Sequence, residues 1–127
     1  MKEPQEIQKE LIDLANAWGE AFSTGDHRTA NKKNSAIAKI AKRFNNDKNL
    51  GEAILTPLLI HPSPSVRLMA SVYTLELGVH IQEAEAVLTS IATDSNLRLI
   101  PMMAKINLSQ WNKRKGTKLE QKDECNG

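Results

Sequence analysis

Apolar residues recur at helical spacing along most of the chain, and this pattern limits the possible fold more than any other feature. In the first segment the apolar stripe consists of Ile7, Leu11, Leu14 and Trp18. Such spacing covers one face of a helix with a period of about 3.6 residues, and it does not fit the alternation of a half-buried strand. Later segments repeat the spacing and none alternates. We therefore predict an all-α fold of five to six helices.

Turn-forming residues separate these periodic segments. The clearest break is HPSP at residues 61–64, where Pro62 stops the preceding helix, Ser63 caps the next one and Pro64 takes its first position. Pro57 is expected to kink or end the third helix early. The predicted helices cover approximately residues 4–22, 27–44, 50–60, 65–77, 80–92 and a last one that begins near residue 101.

The chain length of 127 residues is that of one ordinary domain, large enough to bury a core without a disulfide or a metal. The single cysteine, Cys125, excludes an internal disulfide. We assign residues 1–112 to one helical domain. Residues 113–127 contain one leucine and no apolar stripe, so we predict a mobile polar tail there.

The predicted helices form three consecutive antiparallel pairs spaced about 40–45 residues apart, which is the period of HEAT-type helix pairs. The segment LLIHPSPSVRLMASVYTLELG, residues 58–78, resembles a HEAT repeat in its proline-containing turn followed by Val66, Arg67, Ala70 and Leu75. Residues 83–111 resemble a degenerate second copy. The chain also resembles small bacterial HEAT-like proteins, some of which look like immunity proteins of toxin systems. The resemblance implies a short α-α superhelix that binds another protein.

Residues that would support catalysis are too scattered to form a recognisable motif. His27, His61 and His80 lie far apart and lack the spacing of metal ligands, and the two latter histidines are expected at turns or helix ends. The sequence also lacks the glycine-rich phosphate-binding and nucleophile motifs. We therefore predict a non-enzymatic protein with no catalytic residue, cofactor or metal site.

Charge is distributed unevenly although the net charge is only +2. Residues 27–49 contain seven basic residues and one acidic residue, whereas residues 1–26 and 50–96 each have a net charge of −4. Five basic side chains of the second helix fall within about 100° of arc opposite Ile37. This basic stripe consists of Arg28, Lys32, Lys39, Lys42 and Arg43. It is a docking surface or a solvated helix face.

The helix-pair arrangement would place the first helices of the pairs on one face of the molecule and the second helices on the other. The first helices carry the acidic side chains, and the second helices carry the basic ones. The acidic face is therefore the alternative partner-binding surface. Its candidate residues are Glu6, Glu10, Asp13, Glu83 and Glu85.

Three functions remain open. The first is a protein-binding module, as in immunity or antitoxin proteins that block a toxin by docking on it. The second is a nucleic-acid binder that uses the basic face, although no aromatic residue interleaves the stripe for base stacking. The third is a structural adaptor with exposed Leu68 and Leu75 as its contact. The polar start and the absence of a run of about 20 apolar residues lead us to expect a cytoplasmic protein without a membrane anchor.

Overall fold

Six α-helices follow one another along the chain in the computed structural model, which describes residues 3–97 and 99–126 and, of their side chains, those up to residue 115. They are α1 Pro4–Ser23, α2 His27–Phe44, α3 Lys48–Leu55, α4 Pro64–Leu77, α5 Ile81–Ala92 and α6 Ile100–Asn126. A 3-10 helix, Thr56–Ile60, separates α3 from α4. The described residues contain no strand, which confirms the all-α prediction.

Three helix starts have side-chain caps, including the cap at Ser63 that the sequence predicted. Asp26, Asp47 and Ser63 precede α2, α3 and α4, and each side chain accepts a hydrogen bond from the backbone N–H three residues later, at 3.2–3.5 Å. Gly78 ends α4 in the left-handed conformation, with φ 77°. These caps satisfy backbone groups that the helix ends leave without partners.

The third predicted helix is divided in two. The helix α3 begins at Lys48, two residues earlier than predicted, with Asp47 as its cap. It ends at Leu55. Pro57 has no N–H to donate to the preceding turn, so the backbone tightens into the 3-10 helix instead of continuing. This tightening leaves Ile60 85% exposed while the adjacent Leu59 is buried.

The core is built around α4, whose side chains are buried on several sides. Val66 and Ala70 are fully buried, because α1 and α3 pack on one part of the helix and α5 and α6 on another. The suggestion that Leu68 and Leu75 are exposed contacts of an adaptor is wrong, since each is only 4% exposed. Neighbouring helices enclose both residues.

Most helix contacts join elements that are close in the chain. The most extensive are α1 with α2, α4 with α5, and α5 with α6, and α1 also packs across α4. The second helix, α2, packs mainly against α1 and α3. It therefore lies at an edge of the molecule with one face free of neighbouring helices.

The last helix continues beyond residue 112, where we expected the mobile polar tail to begin. Trp111 is half-buried, and the Lys115 Nζ lies 3.0 Å from the Glu85 Oε2 of α5. Lysine, arginine, glutamate and glutamine favour helix even without an apolar stripe, which explains the extension. The side chains from residue 116 onward lie outside the described part of the chain, so the mobility of residues 113–127 stays a prediction.

Candidate interaction surfaces

The basic stripe occupies the exposed face of α2. Its five side chains, Arg28, Lys32, Lys39, Lys42 and Arg43, are all exposed. The opposite face of α2 is buried and consists of Ala30, Ile37, Ala41 and Phe44. The predicted separation of a buried face from a basic face is therefore present in the structure.

The stripe has no neutralising partner among the described side chains. Their ion pairs join Glu52 and Glu83 to His80, and Glu85 to Lys115, and none of these pairs includes a stripe residue. Like charges four residues apart, as in Lys39 and Arg43, destabilise a helix by a few tenths of a kcal/mol. The stripe charges thus face solvent without a direct ion pair among the described side chains.

The positions of some stripe residues are explained by their contribution to the stability of α2. Lys42 and Arg43 stand in the last turn of α2, where cations interact favourably with the negative end of the helix dipole. Arg28 is the second residue of α2, where a cation faces the positive end of the dipole. Lys32 and Lys39 lie between these ends. Three of the five charges therefore have no evident role in stabilising α2.

The acidic residues do not form one uniform surface. In α1, Glu6 and Asp13 are exposed and Glu10 is half-buried. All three line a groove that also contains Lys9 and Lys33, so the local charge is mixed. The remaining two, Glu83 and Glu85 of α5, are bound to His80 and Lys115 respectively. The structure therefore divides the acidic residues between two separate regions.

A cavity of about 250 Å³ lies between α1, α2, α4 and α6. Its walls are of mixed polarity: Trp18, Met69, Tyr73 and Met103 supply apolar surface, and Asn34, Glu76 and Asn107 supply polar surface. Trp18 stacks on Phe22 with 5.2 Å between ring centroids, which holds one wall in place. Burial, with a smaller contribution from Glu76, raises the pKa of the Tyr73 hydroxyl. The only sequence pattern at this cavity is a helical apolar spacing, which equally predicts core packing.

A larger open groove of about 720 Å³ lies between α3, the 3-10 helix and α5. His80 stands at one end, with its Nε2 2.8 Å from Glu52 Oε1 and its Nδ1 3.1 Å from Glu83 Oε2. His61 instead stays within its turn, where its Nδ1 accepts a hydrogen bond from the Ser63 N–H at 3.0 Å. Both histidines thus lie at helix ends as predicted, but the Glu52–His80 contact was not foreseen.

No group of three histidine, cysteine, aspartate or glutamate residues within the described part of the chain is arranged to hold a metal ion. At His80 the reason is geometric, because Glu52 and Glu83 bind different nitrogens of the imidazole ring. The two carboxylates therefore do not converge with the histidine on one position.

Comparisons of the chain with protein-family models, with curated proteins and with solved structures found no significant match. Among the described helices, none combines the length and apolarity needed to span a bilayer. The fold and its surfaces define a small all-α protein with an exposed basic helix face, a partly open cavity of mixed polarity and an open groove with an acidic end.

Proposed function

We propose that this chain is a non-enzymatic protein-binding module that acts like an immunity or antitoxin protein, docking its basic stripe on an acidic surface of a cognate toxin in the cytoplasm. The observation that carries the proposal is the exposure of all five stripe residues together with their lack of ion-pair partners among the described side chains. Complementary charge accelerates association and selects between partners. A surface of this kind needs no catalytic group.

The stripe is displayed on a rigid support, which favours binding. Ile37 and Phe44 anchor α2 in the core, at 3% and 1% exposure. Asp26 caps the start of α2, and Asp47 caps the start of α3 after the turn that follows α2. Since the backbone is already ordered, binding would cost mainly the side-chain freedom of the stripe residues.

The packing order supports a HEAT-like arrangement as part of the proposal. In stacked helix pairs the two helices of a pair pack against each other, as α1 with α2 and α5 with α6 do here. Residues of α2, α4 and α6, the second helices of the three pairs, share the walls of the 250 Å³ cavity. We infer that α2, the second helix of a pair that has a face free of neighbouring helices, forms the partner-facing side of the protein.

A reversal of charge on the stripe tests the proposal. Immobilised wild-type protein first captures its partner from a lysate of the native host. The purified partner is then titrated against the wild type and against the triple variant Lys32→Glu/Lys39→Glu/Lys42→Glu. We expect the triple variant to raise Kd by at least tenfold, mainly through slower association. The matched control reverses three exposed lysines elsewhere, Lys9, Lys48 and Lys105, and should bind nearly as the wild type does. Equal loss in both variants would mean that only net charge matters and would contradict docking by the stripe.

A nucleic acid is the alternative partner that the same stripe favours. The salt dependence of the binding affinity distinguishes a nucleic-acid partner from a protein partner. Binding to a DNA duplex through several phosphates weakens by orders of magnitude between about 50 and 200 mM salt. We expect a random-sequence duplex to bind weakly and the captured protein to lose much less affinity over that range. A duplex that binds as tightly as the captured protein, with the steep salt dependence, would favour the nucleic-acid function.

A further inference from the structure

The open groove between α3, the 3-10 helix and α5 has an apolar wall that is accessible to solvent. Its apolar wall consists of Ala53, Pro57, Leu59, Ile60 and Val87. Ile60 is 85% exposed, and its neighbour Pro57 is exposed as well. Three exposed apolar residues, Ala53, Pro57 and Ile60, thus line one groove of about 720 Å³, and a contiguous apolar patch, unlike a single exposed residue, indicates a contact surface.

The acidic end of the groove consists of Glu52 from α3 and Glu83 from α5, with His80 between them. A neutral imidazole carries one N–H, so only the charged form of His80 donates a hydrogen bond to both carboxylates. These hydrogen bonds, chiefly the one to Glu52, raise the pKa of His80. The described residues that line the groove include no lysine or arginine. Glu52 and Glu83 therefore keep one carboxylate oxygen each for a cation from outside.

The backbone holds His80 in place for this arrangement. His80 adopts the left-handed conformation with φ 45°, which is uncommon for a residue other than glycine. Its carbonyl accepts the first hydrogen bond of α5, from the Ala84 N–H at 3.0 Å. The imidazole is thus presented to both carboxylates from the fixed end of a helix, which keeps the acidic end ordered before a partner arrives.

We propose that this groove is a second interaction surface, which binds a segment of a protein partner carrying a lysine or arginine next to an apolar side chain. The cation would pair with Glu52, while Glu83 adds to the negative charge nearby, and the apolar side chain would cover Ile60 and Pro57. The proposal is independent of the function of the basic stripe, because it uses other helices and the opposite charge. Charge complementarity selects this partner, since the groove supplies two carboxylates and, among its described residues, no lysine or arginine.

The titration of His80 gives this surface a characteristic pH dependence. Protonated His80 leaves the trio with Glu52 and Glu83 at a net charge of −1, and neutral His80 leaves it at −2. These two carboxylates are the charged groups that face His80 from α3 and α5. A basic segment therefore binds more tightly as the pH rises through the raised pKa of His80.

The test uses a short synthetic peptide in which leucine is flanked by lysines, titrated into the full chain at about pH 6 and about pH 8. We expect shifts of the NMR signals of Ile60 and His80, and tighter binding at the higher pH. Ile60→Ser should weaken binding about fivefold or more. Ile106→Ser, which alters an isoleucine that is 43% exposed on α6, is the matched control and should have no effect. Glu52→Gln should weaken binding and reduce its pH dependence.

Three results would overturn the proposal. One is equal binding of a peptide with glutamate in place of lysine. Another is equal loss of affinity in Ile60→Ser and Ile106→Ser. The third is self-association of the chain, measured by sedimentation, that disappears in Ile60→Ser, because the groove would then bind a second copy rather than a different protein.

Discussion

Gly19 and Ser65 meet where α1 crosses α4, and the contact leaves no room for a side chain on Gly19. A methyl group at Gly19 would overlap the Ser65 Oγ and would lie 2.8 Å from the Ser65 Cβ. Rotation of the hydroxyl relieves the first conflict but not the second. The glycine therefore sets how closely α1 approaches the central helix.

Gly19→Ala is expected to destabilise the protein by about 1–2 kcal/mol. Overpacking costs about 1–3 kcal/mol, and alanine returns up to about 1 kcal/mol through its higher helix propensity. Thermal unfolding followed by circular dichroism should show a melting temperature several degrees lower. Combining Gly19→Ala with Ser65→Gly in a double-mutant cycle should yield a favourable coupling, since the second change removes the obstructing Cβ. Strict additivity would argue against the close contact.

Ser63→Ala is expected to cost about 1 kcal/mol, because Ser63 caps α4 and also binds α1. Its Oγ accepts a hydrogen bond from the Val66 N–H at 3.5 Å and donates one to the Asn16 Oδ1 at 2.6 Å. Asn16→Ala removes only the second of these bonds and should cost less. Urea unfolding of the two variants measures the difference. An Asn16→Ala variant less stable than Ser63→Ala would show that the cap contributes little.

Val66→Asp is expected to cost several kcal/mol, since it would bury a carboxylate without a partner at a position with 0% exposure. Ile60→Asp makes a similar change at a position with 85% exposure and should alter stability by less than about 0.5 kcal/mol. Chemical unfolding distinguishes the two variants. Similar losses in both would contradict the central position of α4.

Stability should fall as the pH rises through the titration of His80. The folded chain holds the pKa of His80 above its ordinary value of 6.5, because Glu52 and Glu83 bind the charged ring. The group therefore contributes its full stabilisation below pH 6.5 and loses it above the raised pKa. Melting temperatures at about pH 6 and about pH 8 should differ more for the wild type than for His80→Gln. Identical pH dependence in the two proteins would contradict the assignment to His80.

Lys39→Glu is expected to stabilise α2 slightly. Glutamate at this position stands four residues before Arg43, the orientation in which an ion pair supports a helix by a few tenths of a kcal/mol. Lys39→Gln removes the repulsion without adding attraction and should fall between the wild type and Lys39→Glu. The order of the three melting temperatures tests whether Lys39 is solvated and without a structural role. A clear loss of stability in both variants would indicate a contact that Lys39 makes in the fold.

Local signals in the sequence predicted the helices well where a cap and a terminator flank an apolar stripe. The predicted bounds of α2 coincide with those observed, His27–Phe44, because Asp26 begins the helix and the polar residues after Phe44 end it. The exposure of the basic stripe followed from the same periodicity. The prediction that Leu68 and Leu75 are exposed was wrong, because neighbouring elements enclose α4 on several sides.

Contacts that depend on how two helices cross could not be predicted from the periodicity of apolar residues. Glu52 and His80 are 28 residues apart, and their contact arises from the way α3 and the 3-10 helix approach α5. Gly19 looked like an ordinary residue near a helix end, because nothing in its neighbours reveals the approach of Ser65. Both relationships are set by tertiary packing rather than by any local pattern.

The two faces of α2 have different consequences for how this protein can evolve. Ile37 and Phe44 hold the helix in the core, whereas Lys32 and Lys39 are exposed to solvent. Mutations in the codons of the outward residues therefore leave a folded chain at every step, while they change which charges the helix presents. A lineage could follow a diverging partner through such single exchanges without first acquiring compensating changes in the core.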